Sequence, residues 1–437
     1  MEYDFFITNL GKRLFKSPLN ISNFTQDKKR LLFNTYLDNY LSCTDKEGQP
    51  LSVELAGPRD KIFFDPSQTK AAIVTCGGLC PGINDVIRSL TMTLFHRYGV
   101  KKILGVKYGL MGLNPASGLK LINLTPEFVN DITSIGGSIL STSRGPQDVD
   151  VMVDYLVRLN INILFCIGGD GTIRAAERII TEVTRRNLKI AIVCIPKTID
   201  NDLNLIQKSF GFDTAIEKTV EAIKSAHVEA KGAFNGIGLI KIMGRNSGHI
   251  ATHAALAQND TNFVLIPEVP FDLEGKNGFL ITLKKRIKSR GHAVILVAEG
   301  AGQDILRNTI SPPDKDPSGN IRLLNIGLFL KNAIEDYFKN IDLEINLKYI
   351  EPSYLIRSVP AYASDGIYCN SLGQYAVHAG MSGKTGILVA LMKDEYVHLP
   401  LNTVTSSRKI DSQDNTWLRV LETTGQPPSM KNNGEAK

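Results

Sequence analysis

Six cysteines are too few and too scattered to staple a chain of 437 residues. Cys43, Cys76, Cys80, Cys166, Cys194 and Cys369 mostly sit in or beside apolar runs, where cysteine packs as a small hydrophobe. No Cys/His grouping has zinc-ligand spacing, so neither a disulfide framework nor a structural zinc site is expected, and a reducing compartment fits best. No apolar run approaches the roughly 18 residues that a membrane-spanning helix needs. Residues 1–20 carry Asp4, Lys12 and Arg13 and lack the apolar core of a secretory leader, while the end, Asn433 to Lys437, is polar and has no peroxisomal tripeptide. These absences point to the cytoplasm, with no membrane partner. Charge of one sign is also scarce: 50 basic against 44 acidic residues leave a net +6 with no dense Lys/Arg tract among aromatics. Nucleic acid is therefore a poor partner, and an anionic small substrate stays open. No internal repeat of fixed period is visible.

What is present is an ordinary globular composition, 43% hydrophobic and 22% charged, in a chain too long for one simple core. Residues 1–70 are mixed and polar and read as an N-terminal extension. From Ala71 the texture changes to short apolar runs at 71–75, 102–106, 163–167, 190–195, 238–242, 263–266 and 293–298. Each ends in Gly, Pro or Asp, and helical spacing follows, as at 172–186 and 247–257. Short β-branched runs without polar alternation are the pattern of parallel strands buried on both faces, so an α/β architecture with mainly parallel sheets is expected. In such sheets ligands bind beyond the carboxyl ends of the strands. The segment 303–320, with Pro312, Pro313 and Pro317, reads as an exposed loop, and the tail from Gln426 as loosely held.

The unusual residues lie after the strands. Cys76-Gly77-Gly78-Leu79-Cys80-Pro81-Gly82-Ile83-Asn84 joins a strand to a helix, so its N–H groups can face an anion; a tight turn explains it equally well. Ile167-Gly168-Gly169-Asp170-Gly171-Thr172 lets a phosphate chain approach the backbone and offers Asp170 to Mg²⁺, with Thr172 placed to cap the next helix; the plain alternative is a flexible turn. Pro196-Lys197-Thr198-Ile199-Asp200-Asn201-Asp202 supplies carboxylates and an ammonium, the pair a phosphoryl transferase needs as base and charge acceptor, although a polar turn would also use them. Met243-Gly244-Arg245-Asn246-Ser247-Gly248 offers a guanidinium fork to phosphate or carboxylate, unless Arg245 is a solvated surface charge; Glu299 offers a hydrogen-bond acceptor for sugar hydroxyls, although a lone strand-end Glu is more often structural; Lys348, Tyr354 and Arg357 are donors suited to a phosphate. Two strings mislead. Gly380-Met381-Ser382-Gly383-Lys384-Thr385 ends like a P-loop but has His378 where that motif needs glycine. His249 and His253, one turn apart, lack the glutamate of a zinc-protease helix and read as packing or cleft lining.

Taken together, and in this order from about residue 71 to 427, these strings resemble the phosphofructokinase family. The stretch Lys208-Ser209-Phe210-Gly211-Phe212-Asp213-Thr214-Ala215 and residues 348–357 make the chain similar to the long-chain branch of plants, trypanosomes and spirochaetes, which is related to the pyrophosphate-dependent enzymes. The resemblance implies two Rossmann-like lobes with an active-site cleft between them. A nucleotide-binding lobe would span 71–212, completed by about 361–425, and a sugar-phosphate lobe 213–360, leaving 426–437 as a flexible tail. It implies phosphorylation of fructose 6-phosphate at the 1-hydroxyl by ATP-Mg, in a homodimer or homotetramer. Gly78, Arg144, Gly145, Gly169, Asp170, Gly171 and Thr172 would then meet the nucleotide, with Asp170 as the Mg²⁺ carboxylate. Lys197, Thr198, Asp200 and Asp202 would form the catalytic loop, with Asp200 as the base. Thr198, Ile199, Asp200, Met243, Gly244, Arg245, Glu299, Lys348, Tyr354, Leu355, Ile356 and Arg357 would hold the sugar phosphate. Short bacterial members place an arginine shortly before the Met-Gly-Arg string; this chain has Phe234-Asn235-Gly236-Ile237, and Lys197 stands where those enzymes have glycine.

The donor turns on Gly171 and Lys197. Pyrophosphate-using relatives tend to carry Asp and Lys at these positions, and a carboxylate at 171 would crowd and repel the α-phosphate of ATP. Gly171 with Lys197 is the combination of the ATP-using long-chain branch, so ATP is expected. The alternatives are a pyrophosphate-dependent enzyme, a non-catalytic regulatory subunit of the same fold, and a NAD or lipid kinase. The last would share Gly-Gly-Asp-Gly-Thr without needing Thr-Ile-Asp-Asn-Asp or Met-Gly-Arg.

Overall fold

Isoleucine, valine and leucine run almost unbroken through the predicted strands, and each run is a strand shielded on both faces. The structure is a computed structural model that describes residues 3–37, 43–45, 47–307 and 321–432. The described chain forms two compact units. One comprises residues up to Thr198, Leu203–Gly211 and Ser358–Ser407; the other comprises Ile199–Asp202, Phe212–Arg357 and the chain from Arg408.

The first unit is built on a nine-stranded sheet. Its middle is parallel, in the order Ile387–Met392, Ala191–Pro196, Ile163–Gly168, Lys70–Thr75, Lys102–Val106. Register is close to level, with Ile163 opposite both Ala71 and Ala191. The margins are antiparallel: Ile122–Asn123 closes one side, and Glu395–Pro400, Ser52–Leu55 and Arg30–Leu32 extend the other. Lys393 and Asp394, at φ 50° and 62°, form the tight turn that folds Glu395–Pro400 back onto its neighbour. Two left-handed residues match the twist of a hairpin. The second unit holds a four-stranded, wholly parallel sheet in the order Phe263–Leu265, His292–Ala298, Gly236–Ile242, Asn346–Ile350. The helices Phe212–Gly232, His249–Ala257, Phe279–Arg290 and Ile326–Asn340 belong to this unit. Its core gathers Ile237, Leu239, Phe271, Phe279, Val297 and Phe338. The α/β class and the parallel sheets are as the sequence implies.

Several boundaries differ from the sequence reading. Residues before 70 are integral to the first sheet, because Ser52–Leu55 pairs with Glu395–Pro400. The chain leaves the first unit after Ser407, and the helix Asn415–Thr424 packs beside His249–Ala257 in the second. The tail is not loosely held as far as Asn432. Gln426 Oε1 accepts from Val264 N at 2.6 Å, Met430 is buried in the core, and Lys431 pairs with Asp272 at 3.0 Å. Gln303–Arg307 is a short helix with Gln303 buried; the rest of the expected loop, 308–320, and the end, 433–437, lie outside the described residues.

The N-terminal segment is tied down by a buried ionic cluster. Glu54 accepts from Arg59 Nη2 at 2.8 Å, from Lys384 Nζ at 2.7 Å and from His398 Nδ1 at 2.9 Å, and all four residues are buried. Asp27 joins through Arg59 at 2.8 Å, Lys384 at 3.5 Å and Arg13 at 2.8 Å. Lys384, the residue that gave the P-loop look, is thus spent on a structural ion pair. His249 is likewise buried, and burial pushes its pKa down to about 3, while His253 donates from Nδ1 to the His249 carbonyl at 2.8 Å. A neutral imidazole packed in this way fits the cleft-lining or packing role.

Candidate active site

Three adjacent parallel strands of the first unit end in candidate loops, two of them rich in glycine. After Lys70–Thr75 the chain turns through Gly77 (φ 84°) and Gly82 (φ 95°) into the helix Ile83–Met92. Gly82 is required there, since a β-carbon would lie 2.5 Å from Cys369 Sγ. The next loop is fastened over this turn. Asn84 Nδ2 donates to the Ile135 carbonyl at 2.8 Å, its Oδ1 accepts from Ile139 N at 3.0 Å, and Thr75 Oγ1 donates to the Ser141 carbonyl at 2.8 Å. Gly77 N–H reaches the Ser143 carbonyl at 3.4 Å. Arg144, exposed, and Gly145 are therefore presented beside Gly77 and Gly78.

Ile163–Gly168 runs directly into the helix Asp170–Arg185, with Gly169 at the N-cap. Thr172 does not cap this helix. It is buried in the first turn, and a methyl on Gly168 would sit 2.1 Å from its Oγ1. Gly168→Ala should therefore lower the urea midpoint by about 1–3 kcal/mol worth of stability through overpacking; an unchanged midpoint would contradict this account. Asp170 occupies the first helical position, half exposed, and its carboxylate accepts from Arg174 Nε at 3.0 Å. A β-carbon on Gly171 would meet nothing within 4 Å. Ala191–Pro196 leads to Lys197, which is 5% exposed and donates from Nζ to the Gly78 carbonyl at 2.6 Å. Lys197 N–H donates to the Gly168 carbonyl at 3.0 Å, so this loop is bonded to both glycine loops. Behind it, Ser209 Oγ donates to the Thr198 carbonyl at 2.6 Å, and Asp365 Oδ1 accepts from Gly211 N at 2.8 Å.

The second unit brings together a different group. The carbonyl of Asp200 accepts from Ser247 Oγ at 3.1 Å, and that of Asp202 accepts from Arg408 N at 2.7 Å. Ser247 belongs to the turn after Gly236–Ile242, in which Gly244 has φ 140° and Arg245 the left-handed φ of 44°. Glu299 Oε1 accepts from Arg245 N at 3.0 Å, and a β-carbon on Gly300 would lie 1.8 Å from the Arg245 carbonyl. The Met243–Gly244–Arg245 turn is thus clamped against the end of the strand His292–Ala298. Asn346–Ile350, next to Gly236–Ile242, leads into the short helix Ser353–Ile356. Glu351 fixes this exit by accepting from Lys241 Nζ at 2.6 Å, Tyr349 Oη at 2.6 Å and Ser353 Oγ at 2.8 Å. Tyr354 is 66% and Leu355 70% exposed, and Arg357 stacks its guanidinium over the Tyr354 ring at 4.9 Å. Two expected site members stand apart. Ile356 is fully buried, so only its backbone can face a ligand, and Lys348 lies inside its strand, exposed and opposite Gly238, well before the strand end. Ile199 is also buried.

A sequence model of the phosphofructokinase family matches residues 70–380, the stretch that carries the candidate-site loops described above. The chain belongs to the phosphofructokinase family. Its likeness to individual members runs further. It is 49% identical to the ATP-dependent 6-phosphofructokinase of Borreliella burgdorferi, over 98% of this chain and 98% of that one. It is 47% identical to the ATP-dependent 6-phosphofructokinase 7 of Arabidopsis thaliana, over 85% of this chain and 76% of that one. The ATP-dependent 6-phosphofructokinase of Amycolatopsis methanolica is 46% identical, over 87% and 83%. Among solved structures, the pyrophosphate-dependent phosphofructokinase of Marinobacter aquaeolei superposes with a TM-score of 0.66 at 19% identity, over 82% of this chain and 91% of that one. The T-state phosphofructokinase of Pichia pastoris gives 0.63 at 22%, over 82% of this chain and 37% of that longer one. At those identities the structures establish the phosphofructokinase fold alone. Among the described residues no helix is long and apolar enough to cross a membrane.

Ser209, Ser247, Asn84, Asp365 and Glu351 hold the loops in place and escaped the sequence reading. Serine and asparagine occur throughout any chain, and the partners of Ser247 and Asn84 lie 47, 51 and 55 residues away. Only their clustering inside Lys-Ser-Phe-Gly and Arg-Asn-Ser-Gly hinted at a role.

Proposed function

We propose that this chain is an ATP-dependent 6-phosphofructokinase, transferring the γ-phosphoryl group of ATP to the 1-hydroxyl of fructose 6-phosphate to give fructose 1,6-bisphosphate and ADP. The observation that carries the reading is the hydrogen-bonded convergence of the Gly77–Gly78, Ser143–Gly145, Gly168–Thr172 and Lys197 backbones at the ends of three neighbouring strands. Backbone N–H groups, a helix start and two cations in one place suit a polyphosphate. Gly78, Arg144, Gly145, Gly169, Gly171 and Thr172 line that cradle from the first unit. Met243, Gly244, Arg245, Glu299, Tyr354, Leu355, Arg357 and the Ile356 backbone receive the sugar phosphate.

In the reaction, Asp200 accepts the proton of the 1-hydroxyl as that oxygen attacks the γ-phosphorus and ADP departs. Thr198 and Asp202 shape the loop that presents it. Arg144 spreads the developing charge, and Lys197, bonded to the Gly78 carbonyl, adds a fixed positive charge behind the same loop. Mg²⁺ is the implied cofactor. The half-exposed Asp170 carboxylate fits a small cation that keeps several waters and takes its remaining ligands from phosphate. When bound there it would neutralise triphosphate charge. A cytoplasmic homodimer or homotetramer agrees with this assignment.

Donor choice is read from Gly171, whose flank is open. Purified protein is expected to turn over with ATP and only weakly with pyrophosphate. Gly171→Asp should lose roughly 10²–10³-fold in ATP-supported rate, because like charges about 4 Å apart repel by a few kcal/mol, and its melting temperature should stay unchanged. Faster turnover with pyrophosphate than with ATP in the unsubstituted protein would reverse the donor assignment.

A further inference from the structure

Ser247 is 2% exposed, and both sides of its hydroxyl are engaged within the second unit. It donates to the Asp200 carbonyl at 3.1 Å and accepts from His249 N at 3.3 Å, the first residue of the helix His249–Ala257. Its own N–H closes the turn by donating to the Gly244 carbonyl at 2.7 Å. The far side of that turn is held by Glu299 through Arg245 N, and Gly248 N–H donates to Glu268 Oε1 at 3.0 Å. A continuous line of short contacts therefore runs from Glu299, through the left-handed Arg245, to the backbone of Asp200.

We propose that Ser247 is a positioning residue that ties the backbone of the base Asp200 to the sugar-phosphate turn Met243–Gly244–Arg245. This rests on the reading of Asp200 as base and of Arg245 and Glu299 as acceptor ligands. Seating the acceptor on Arg245 and Glu299 settles the turn, and the turn sets where Asp200 stands. A carboxylate that must meet one particular hydroxyl gains from such a tie, since a displacement of about 1 Å can cost on the order of 10²-fold in rate. The hydroxyl bonds the carbonyl of Asp200, so it fixes the position of the base without entering its protonation chemistry.

The test is Ser247→Ala, which removes one oxygen and adds no bulk, with Ser247→Thr restoring a hydroxyl. The alanine variant should lower kcat roughly 10-fold or more, the equivalent of one hydrogen bond. Its KM for fructose 6-phosphate should change less than about threefold, and the acid limb of its kcat–pH profile should stay where it is. Ser247→Thr should recover most of kcat. An unchanged kcat in Ser247→Ala overturns the proposal, as does a loss expressed mainly in KM or a shifted acid limb. If the threonine cannot be accommodated and the variant unfolds, the KM-against-kcat split of the alanine variant decides alone. Asp200→Ser run in parallel separates the two levels: an inactive Asp200→Ser beside a normal Ser247→Ala removes only the positioning role, whereas an active Asp200→Ser removes the base assignment beneath it.

Discussion

Asp200→Ser should turn over fructose 6-phosphate about 10²–10⁴-fold more slowly than the parent protein, the usual contribution of a positioned general base. Binding of the sugar phosphate, measured by calorimetry without nucleotide, should stay within about threefold, because the phosphate contacts belong to other residues. The backbone bond from Ser247 to the Asp200 carbonyl is untouched by this substitution, so the loop keeps its course. Near-normal turnover would mean that another group takes the proton and that the carboxylate at this position is structural.

Glu54 carries the largest expected effect on stability. Replacing it with glutamine leaves Arg59 and Lys384 buried with only the partly exposed Asp27 to balance them. Removing one partner of a buried ion pair costs about 3–5 kcal/mol, and the urea midpoint should fall accordingly; a loss below about 1 kcal/mol would show that water reaches the cluster. The cluster also sets an acid limit. Burial alone would raise the Glu54 pKa, yet its hydrogen bond to His398 and the charge of Lys384 hold it at about 2. Burial holds His398 down at about 4 despite the glutamate, so at neutral pH it is uncharged and gives its Nδ1 proton to Glu54. Both folded values lie below the unfolded ones, roughly 4.3 and 6.5. Their stabilisation is therefore complete above those unfolded values and drains away as pH falls towards 4 and then 2. Glu54→Gln should lose most of the glutamate's share of this acid dependence.

Seven of the parallel strands, though not Ile387–Met392 and Asn346–Ile350, were legible because they are shielded on both faces, which leaves uninterrupted apolar runs such as Ile163–Gly168 and Ala191–Pro196. The margins of the same sheet were not. Ser52–Leu55 carries a charged residue in mid-strand whose partners Lys384 and His398 lie more than three hundred residues away, so nothing local signals burial. Glu395–Pro400 is reached through Lys393 and Asp394, which adopt left-handed angles without the Asn-Gly pair that would announce a hairpin. Polar composition made the tail look loose, whereas Gln426 and Met430 each fill one specific place. Of the candidate site, the sequence offered the residues with distinctive chemistry: glycines at strand ends, Asp170, Asp200, Arg245. Thr172 was misplaced because a threonine near a helix start is usually a cap, while here Gly169 takes that position and the threonine fills the space that Gly168 leaves. The fixing residues could not be read, since a serine bonding a carbonyl has no pattern in one dimension.

The empty flank of Gly171 separates two things that are entangled at most sites. The glycines at 82 and 168 are crowded by Cys369 Sγ and Thr172 Oγ1, so change there costs stability. Residue 171 has no such guard. A lineage could place a side chain at that position while the architecture around it is left as it was.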